Sequence, residues 1–315
     1  MIVLVPLHST SRWYSLSRDY PPQDKPRPVS EHLEELIARL RVCIIAVLIT
    51  SLICFLLPST FLPPIEGYDA LISGNSSDGL LTKILPLPTR GNSLVIYILN
   101  RIRLDIVTST KFYLERIFGI EHVEIDLKPL KVYDAIVLIL EASILMGLIV
   151  SSPVIAYEVY KFIAPALYPH EKRFLTSFTL AFVAFFLGGV VYAYKVIAPL
   201  TLSVFLWMNS WLGLEPVFWV RDFYEFTIML LIFIGALFTL PVVIVLAAYF
   251  KVFNPRVLRK YWRYFIVAVF TLAAIITPDP TPISMTLVSI PFLTLYIIAT
   301  FVGELVYKRS SKDSK

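Results

Sequence analysis

The feature that most constrains this sequence is a series of long apolar stretches, of which residues 226–250 are the clearest. This stretch, FTIMLLIFIGALFTLPVVIVLAAYF, contains no charged side chain. A helix needs about 20 mostly apolar residues to span the hydrocarbon core of a bilayer. Similar stretches recur along the chain, and they are continuous rather than alternating, which argues against a β-barrel. The sequence therefore predicts an all-α polytopic membrane protein.

The composition supports this class and narrows the expected partners. The chain is 57% hydrophobic and only 16% charged, whereas soluble domains carry about a quarter charged residues. The net charge of +5 does not indicate nucleic acid, because the cations cluster at the ends of apolar stretches, where they act as topology signals. The two cysteines, Cys43 and Cys54, fit neither a disulfide framework nor a metal site. We expect no metal or other cofactor and no nucleic-acid partner.

We predict six transmembrane helices in a single membrane domain at residues 30–308. The spans are expected at about residues 42–62, 135–157, 174–194, 226–250, 264–277 and 284–306. The fifth is short, which implies a thinned bilayer, a tilted neighbour or an aqueous vestibule. Residues 1–29 are expected to form a mobile tail rather than a cleaved signal, and residues 309–315 a second, cytoplasmic tail.

Lysine and arginine residues predict the orientation of the spans. They are concentrated before the first span at Arg39 and Arg41, in the connections 158–173 and 251–263, and after the last span. The short connections on the opposite side carry fewer cations. Because cations favour the cytoplasmic side, both termini and the 158–173 connection are predicted to be cytoplasmic, and residues 63–134 form a long extracytoplasmic loop.

Two segments outside the spans are predicted to lie at the outer membrane surface. Residues 63–92 are rich in glycine, proline and serine, but residues 94–118 carry apolar residues at 94, 98, 102 and 106, typical of an amphipathic surface helix. Residues 197–214 resemble a seventh span, yet a seventh span would move the basic 251–263 loop outside. We interpret them as the outer end of span three plus a surface helix, with interfacial Trp207, Trp211 and Trp219.

The segment SEHLEELIARLR, residues 30–41, has the pattern of an amphipathic helix on the cytoplasmic face. Its apolar residues recur with helical spacing, and Ser30 is a suitable N-cap. On local chemistry alone, Glu35 is expected to pair with Arg39 one turn later, which is worth a few tenths of a kcal/mol. His32 is expected to be exposed and unliganded.

The connection FIAPALYPHEKRF, residues 162–174, contains more proline, histidine and charged side chains than a simple turn requires. Taken alone, Glu171 compensates the dipole at the start of span three, at about 0.3–1 kcal/mol, and Phe162 is an interfacial aromatic. The string HEKRF is not a zincin site, because Phe174 stands where the second histidine belongs. The chain also has no GxxxxGK[ST] phosphate-binding loop. The sequence therefore gives no sign of a zinc protease site or of ATP hydrolysis.

Four segments together resemble the TatC family, the polytopic core of twin-arginine protein translocases. They are HLEEL, SSPVIAYEVYKFIAPALYPHEKR, FTLPVVIVLA and ITPDP. The resemblance runs from about Ser30 to Glu304, interrupted by residues 63–130, a loop longer than expected for the family. It implies that the N-terminal segment and the 158–173 connection bind a twin-arginine signal peptide. By motif, the expected contacts are Glu35, Glu171, Phe162, Pro165 and His32.

The chemistry implied by this resemblance is physically sensible. Carboxylates accept bidentate, charge-assisted hydrogen bonds from guanidinium groups, which lysine cannot reproduce. The resemblance further implies TatA- or TatB-type single-span partners, a homo- or hetero-oligomer in the plasma membrane, and export of folded proteins driven by the proton motive force. Helix-bending residues in spans two to four predict a curved, concave bundle. These residues are Pro153, Gly188, Gly189, Gly235 and Pro241.

Three positions depart from the family pattern, and a fourth, Glu141, is a carboxylate inside a predicted span. Thr239 stands where many members have a glutamate before the span-four proline, and its hydroxyl is expected to bond across helices. Glu141 lies inside span two, either as a functional carboxylate or as a buried or interfacial contact. Asp279 is displaced by one position in the ITPDP turn and is interpreted as turn chemistry. Ile37 also stands where the family often has arginine.

Two other function classes are weighed against a translocase component. A secondary transporter would show an internal repeat and paired broken helices, and the sequence has neither. An intramembrane enzyme would need an HExxH motif or clustered histidine and aspartate residues, which are missing from the sequence. The secondary transporter is kept as the alternative.

Overall fold

The structure is a computed structural model that describes residues 29–58, 93–120, 125–128, 131, 133–164, 169–211, 213, 217–276 and 282–313. The α-helices are α1 Val29–Leu56, α2 Leu94–Tyr113, α3 Asp134–Ile163, α4 Pro169–Tyr192, α5 Ala198–Trp211, α6 Val220–Phe238, α7 Leu240–Tyr249, α8 Pro255–Lys260, α9 Trp262–Ile276 and α10 Pro282–Asp313. Two π-helical turns, Leu114–Phe118 and Ala193–Ile197, and two short strands, β1 Asp126–Lys128 and β2 Val217–Trp219, complete these elements. The chain is therefore a polytopic helical bundle.

The N-terminal amphipathic segment and the first span form one continuous helix, α1. It ends at Leu56, whereas the sequence predicted a span running to about residue 62. Pro58 explains the earlier end, because proline disfavours helical backbone in the residue before it. Apolar side chains of α1 such as Leu33 and Leu40 are more than half exposed in the isolated chain, as expected for a helix that faces lipid.

Five helical stretches of the described chain are long and apolar enough to cross a membrane. They are Leu33–Leu56, Asp134–Ile163, Leu175–Trp211, Val220–Tyr249 and Pro282–Lys308. The predicted fifth span corresponds to α9, whose 15 residues measure about 22 Å at 1.5 Å per residue. This is less than the hydrocarbon thickness of about 30 Å, so α9 is a short apolar helix at the predicted place, and its crossing of the membrane stays a prediction. A count of six spans and the side of each terminus remain predictions.

Span three continues without a break into the segment that resembled a seventh span. The π-helical turn Ala193–Ile197 joins α4 to α5, and the stretch Leu175–Trp211 has 37 residues, or about 55 Å. Such a length exceeds the membrane thickness, so one end of the helix projects beyond the hydrocarbon core. The structure thus contains one long helix here rather than two spans.

Helix α2 confirms the predicted amphipathic helix but packs on protein rather than only on a membrane surface. Its buried face consists of Val95, Leu99, Ile102, Ile106 and Thr110. The Thr110 hydroxyl donates to the Pro199 carbonyl at 3.3 Å, and the Tyr224 hydroxyl donates to the Leu99 carbonyl at 2.9 Å. The helix therefore caps one end of the bundle by contacting spans three and four.

Close approach of the spans depends on small residues. Gly147 of α3 lies against α1, where an added Cβ would sit 2.0 Å from the Ser51 Oγ. At the same crossing, the Thr50 hydroxyl donates to the Gly147 carbonyl at 2.9 Å. Gly189 of α4 and Gly235 of α6 bring these two helices close together in the same way, since a Cβ added at Gly189 would sit 3.0 Å from the Gly235 Cα. Two of the predicted bending residues thus act as packing contacts.

Short backbone pairings join segments outside the long apolar helices. An antiparallel bridge joins Pro58 to Ser93, and the Leu94 amide donates to the Leu57 carbonyl at 2.9 Å. Residues 58 and 93, which flank the intervening segment, are therefore adjacent in space. Strands β1 and β2 pair in parallel, with Leu127 opposite Phe218. The predicted irregular stretch 63–92 lies outside the residues that the structure describes.

Candidate functional site

Four charged residues gather where one end of α1 meets the end of α3, and we refer to them as the Arg39 cluster. Its members are Glu35 and Arg39 of α1 with Glu158 and Lys161 of α3. Each helix contributes one carboxylate and one cation spaced three or four residues apart, which places them on one helical face. Packing of α1 along α3 then brings the two local pairs together into a neutral set of four charges.

Arg39 is the centre of the cluster because it contacts both carboxylates. Its Nη2 and Nε atoms donate to the Glu35 Oε1 at 2.7 and 3.2 Å, and its Nη1 donates to the Glu158 Oε2 at 3.2 Å. The Lys161 Nζ lies 3.0 Å from the Glu158 Oε1. The planar guanidinium thus bridges the two helices with donors in a fixed fork geometry that a lysine ammonium lacks.

The members of the cluster differ in burial. The side chain of Glu158 is 8% exposed, while Glu35 and Arg39 are 25% and 24% exposed. A buried carboxylate is costly unless each oxygen has a donor, and Arg39 and Lys161 supply one to each oxygen of Glu158. Glu35 is the carboxylate that solvent, or a ligand, can reach.

Aromatic side chains border the cluster on α3. The rings of Tyr157 and Tyr160 are nearly parallel, with centroids 6.1 Å apart, and the Lys161 Nζ lies 4.4 Å from the Tyr157 ring centroid. Phe162 is half-buried and follows Glu158 by one helical turn, so both residues share a face of α3. The predicted contact Phe162 therefore belongs to the same surface as the Arg39 cluster.

The structure tests the other predicted signal-peptide contacts only in part. Glu171 lies in the first turns of α4, where a carboxylate compensates the helix dipole, and His32 lies in α1. The side chains of both residues, and Pro165 entirely, lie outside the part of the chain that the structure describes. The structure therefore brings Glu35 and Phe162 to neighbouring surfaces, and all five signal-peptide contacts stay predictions.

Thr239 lies between α6 and α7, and its hydroxyl donates to the Ala236 carbonyl of its own helix at 2.6 Å rather than to another helix. The same carbonyl accepts from the Thr239 amide at 3.1 Å, so both bonds belong to the end of α6. A polar contact of Thr239 with a partner protein stays a prediction.

Glu141 lies on α3 and is half-buried. Its Oε2 atom is buried and has no hydrogen-bond donor among the described residues. Charges on Glu225 and Arg221 of α6 act on it, and these two residues pair with each other through the Arg221 Nε and the Glu225 Oε1. Asp279, the last of the predicted polar contacts, lies outside the described residues.

A second charged cluster, which the sequence did not indicate, joins α2 to span three. The Asp105 Oδ2 accepts from the Tyr194 hydroxyl at 2.7 Å and from the Lys195 Nζ at 2.9 Å, and the Arg101 Nε lies 3.4 Å from Oδ1. Partial burial would raise the pKa of Asp105, but hydrogen bonds from Lys195 and Tyr194 outweigh it and hold the pKa below its ordinary value. The Asp105 carboxylate thus links α2 to the π-helical turn Ala193–Ile197 through these hydrogen bonds.

Glu158 is the functional candidate that sequence reasoning missed. It was overlooked because its partner Arg39 is 119 positions away, a contact that no local spacing encodes. One signal was available, since Glu158 is a carboxylate near the end of an apolar helix, and such residues are rarely left without a partner. Among the described residues, no group of histidine, cysteine, aspartate and glutamate could hold a metal ion.

The comparisons with known proteins decide the family. The family model described as Sec-independent protein translocase protein (TatC) matches residues 31–291. This chain belongs to the TatC family. Among its relatives, the TatC protein of Aquifex aeolicus is 33% identical over 193 residues, covering 61% of this chain and 80% of the relative. The TatC protein of Carboxydothermus hydrogenoformans is 26% identical over 284 residues, covering 90% and 96%.

A solved structure extends the TatC similarity to the whole bundle. The crystal structure of the twin arginine translocase receptor TatC matches with a TM-score of 0.65 at 29% identity, covering 87% of this chain and 99% of that one. A second crystal structure of that receptor, in the detergent DDM, gives a TM-score of 0.63 at 28% identity. The chain is thus a multi-pass membrane protein of the TatC family. The secondary transporter, which the sequence left as an alternative function, is not supported by these matches.

Proposed function

We propose that this chain is the receptor subunit of a twin-arginine protein translocase, which binds the signal peptides of folded precursors on the cytoplasmic side. The observation that carries the proposal is the Arg39 cluster. Carboxylates from two helices converge there on a single guanidinium group, with N–O distances of 2.7 and 3.2 Å. The site therefore has the chemistry that recognition of arginine requires.

The proposed binding surface combines the solvent-accessible carboxylate Glu35, the half-buried ring of Phe162 and the start of α4, which carries Glu171. A carboxylate pair supplied by two segments suits a ligand with two neighbouring arginines, because each guanidinium takes one carboxylate. Partial burial at the membrane surface strengthens such contacts relative to open water. A pair of lysines would satisfy the charge but not the bidentate geometry.

The proposal includes partners that complete the translocase. By family membership, small single-span proteins of the TatA or TatB type associate with this bundle in the plasma membrane, and the proton motive force drives export. In this proposal the chain acts as a receptor and scaffold rather than as an enzyme. Exposed apolar side chains along α1 and α10, such as Leu48 at 60% and Phe301 at 66% exposure, offer surfaces for lipid and for such helices.

The proposal is tested by peptide binding to the purified protein in lipid nanodiscs. We expect a twin-arginine peptide to bind and a twin-lysine peptide to bind at least tenfold more weakly. Glu35→Gln and Glu171→Gln should each weaken binding of the arginine peptide by roughly 10- to 100-fold, the range for losing a charge-assisted hydrogen bond. The matched control is Glu34→Gln, because Glu34 is exposed on the same helix and should bind as the wild type does.

Two results would contradict the proposal. Equal affinity for the arginine and lysine peptides would show that the surface senses charge without recognising guanidinium. Unchanged affinity in both the Glu35 and Glu171 variants would place the receptor site on another part of the bundle.

A further inference from the structure

The proposed site for the signal peptide is already filled by an arginine of the chain itself. Arg39 makes two hydrogen bonds to Glu35, the carboxylate assigned to the peptide, and one to Glu158. Both bonds to Glu35 end on its Oε1 atom, and a peptide arginine needs both carboxylate oxygens for a bidentate contact, so it cannot make that contact while Arg39 occupies Oε1. A resting receptor with this geometry must therefore release Arg39 from Glu35 before the peptide binds there.

We propose that Arg39 is a built-in competitor of the signal peptide, and that Glu158 is the carboxylate that retains it when the peptide takes Glu35. This inference rests on the proposed function and adds a specificity-determining residue to it. A signal peptide would exchange its guanidinium for that of Arg39 at Glu35, and Arg39 would remain bound to Glu158.

The geometry of the guanidinium makes this exchange possible with little movement. The bonds to Glu35 leave from Nε and Nη2, whereas the bond to Glu158 leaves from Nη1. Breaking the first set does not require breaking the second. Glu158 is 8% exposed, so it cannot be left without donors at low cost, and this favours Arg39 staying on α3.

The competition also provides a reason for discrimination between arginine and lysine. A ligand must replace the two hydrogen bonds that Arg39 donates to the Glu35 Oε1 atom, and another guanidinium can do so with paired donors in one plane. A lysine ammonium offers a point charge and would have to displace two hydrogen bonds with a less suitable geometry. In this arrangement, competition by Arg39 lowers the affinity for a lysine peptide more than it lowers the affinity for an arginine peptide.

The test measures the affinity of twin-arginine and twin-lysine peptides for variants in nanodiscs. Arg39→Gln should bind the arginine peptide roughly three- to fivefold more tightly than the wild type, the range for removing a partly exposed ion pair, and the lysine peptide should gain more. The matched control is Arg41→Gln, because Arg41 is exposed on the same helix, and its affinities should not change. Arg39→Lys should be intermediate.

Glu158 is tested by its dependence on Arg39. Glu158→Gln should weaken peptide binding, because Arg39 then has Glu35 as its remaining carboxylate. In the Arg39→Gln background, the same Glu158→Gln change should have no effect on affinity. A merely structural role for Glu158 would instead weaken binding equally in both backgrounds. Thermal unfolding of each variant shows whether it is folded.

The outcomes separate this inference from the proposed function. If the wild type distinguishes arginine from lysine peptides but Arg39→Gln binds both more weakly, then Arg39 orients Glu35 and is not a competitor. Unchanged affinity in both Arg39→Gln and Arg39→Lys would also overturn the inference. If the wild type binds neither peptide, the proposed function fails first.

Discussion

The crossing of α1 and α3 at Gly147 gives the most direct test of how this bundle is held together. A Cβ added at Gly147 would lie 2.0 Å from the Ser51 Oγ, 2.7 Å from the Ser51 amide nitrogen and 2.9 Å from the Ser51 Cα. Two of these three atoms belong to the backbone and cannot rotate away. We expect Gly147→Ala to push the two helices apart.

The size of the effect follows from these distances. Ordinary van der Waals contact begins at 3.4 Å, so the Ser51 nitrogen at 2.7 Å is too close by about 0.7 Å. Overpacking of this kind costs about 1–3 kcal/mol. The shift would also stretch the 2.9 Å hydrogen bond from Thr50 to the Gly147 carbonyl, worth about 0.6 kcal/mol in membrane proteins. We therefore expect a loss of about 2–3 kcal/mol in the free energy of unfolding.

The assay is reversible unfolding of the purified protein in mixed micelles, with the free energy extrapolated to zero denaturant. The matched control is Gly188→Ala, since a Cβ at Gly188 meets nothing within 4 Å. That variant should be as stable as the wild type or slightly more so, because alanine is the better helix former. Because the same helix pair carries the Arg39 cluster, Gly147→Ala should also weaken peptide binding.

A second substitution tests the cause of the loss. Ser51→Ala removes the hydroxyl oxygen at 2.0 Å but leaves both backbone atoms in place, so combining it with Gly147→Ala should restore only part of the stability. Full restoration would show that the hydroxyl alone causes the clash. Equal stability of Gly147→Ala and Gly188→Ala would refute the close approach of α1 and α3.

Two further predictions concern the other polar groups of the bundle. Asp105→Asn should destabilise the protein by about 1–2 kcal/mol at neutral pH, because hydrogen bonds to charged groups are worth about that much or more. The fold lowers the pKa of Asp105 from its usual 3.8, so its contribution to stability is present above that pH and is lost as the pH falls through the lower, folded-state pKa. The difference in unfolding free energy between Asp105→Asn and the wild type should therefore be smaller near pH 3 than at pH 7. An equal difference at both pH values would exclude a charge effect. Glu141→Gln should leave stability unchanged or higher, because it removes charge from a buried oxygen without a described donor. A loss above about 1 kcal/mol in a thermal unfolding assay would reveal a partner for Glu141.

Local spacing made part of this architecture predictable from the sequence. The pair of Glu35 and Arg39 is a four-residue repeat on one helix, and it was expected from that spacing alone. The helix at residues 94–118 was also predictable from its periodicity. Its buried face, however, includes Val95 and Leu99 rather than the predicted positions 94 and 98, because the helix contacts two spans and not a flat membrane surface.

Contacts between distant parts of the chain were not predictable in this way. The bond from Arg39 to Glu158 depends on how closely α1 and α3 approach, which is set by Gly147 in the middle of the crossing. The hydroxyl of Thr239 can offer a hydrogen bond across helices, but in the structure it donates to a carbonyl of its own helix. In each case the tertiary packing or the local backbone, rather than the residue type, decided the partner.

The bridge between Pro58 and Ser93 has a consequence for how this chain can change over evolutionary time. Because the chain leaves and rejoins the bundle at one point, the distance between helices α1 and α2 does not constrain the length of the segment between them. The entropic cost of closing a flexible loop rises by only about 0.6 kcal/mol for each doubling of its length. The segment between residues 58 and 93 is therefore a place where insertions cost the spans little, and where a lineage can acquire an additional module.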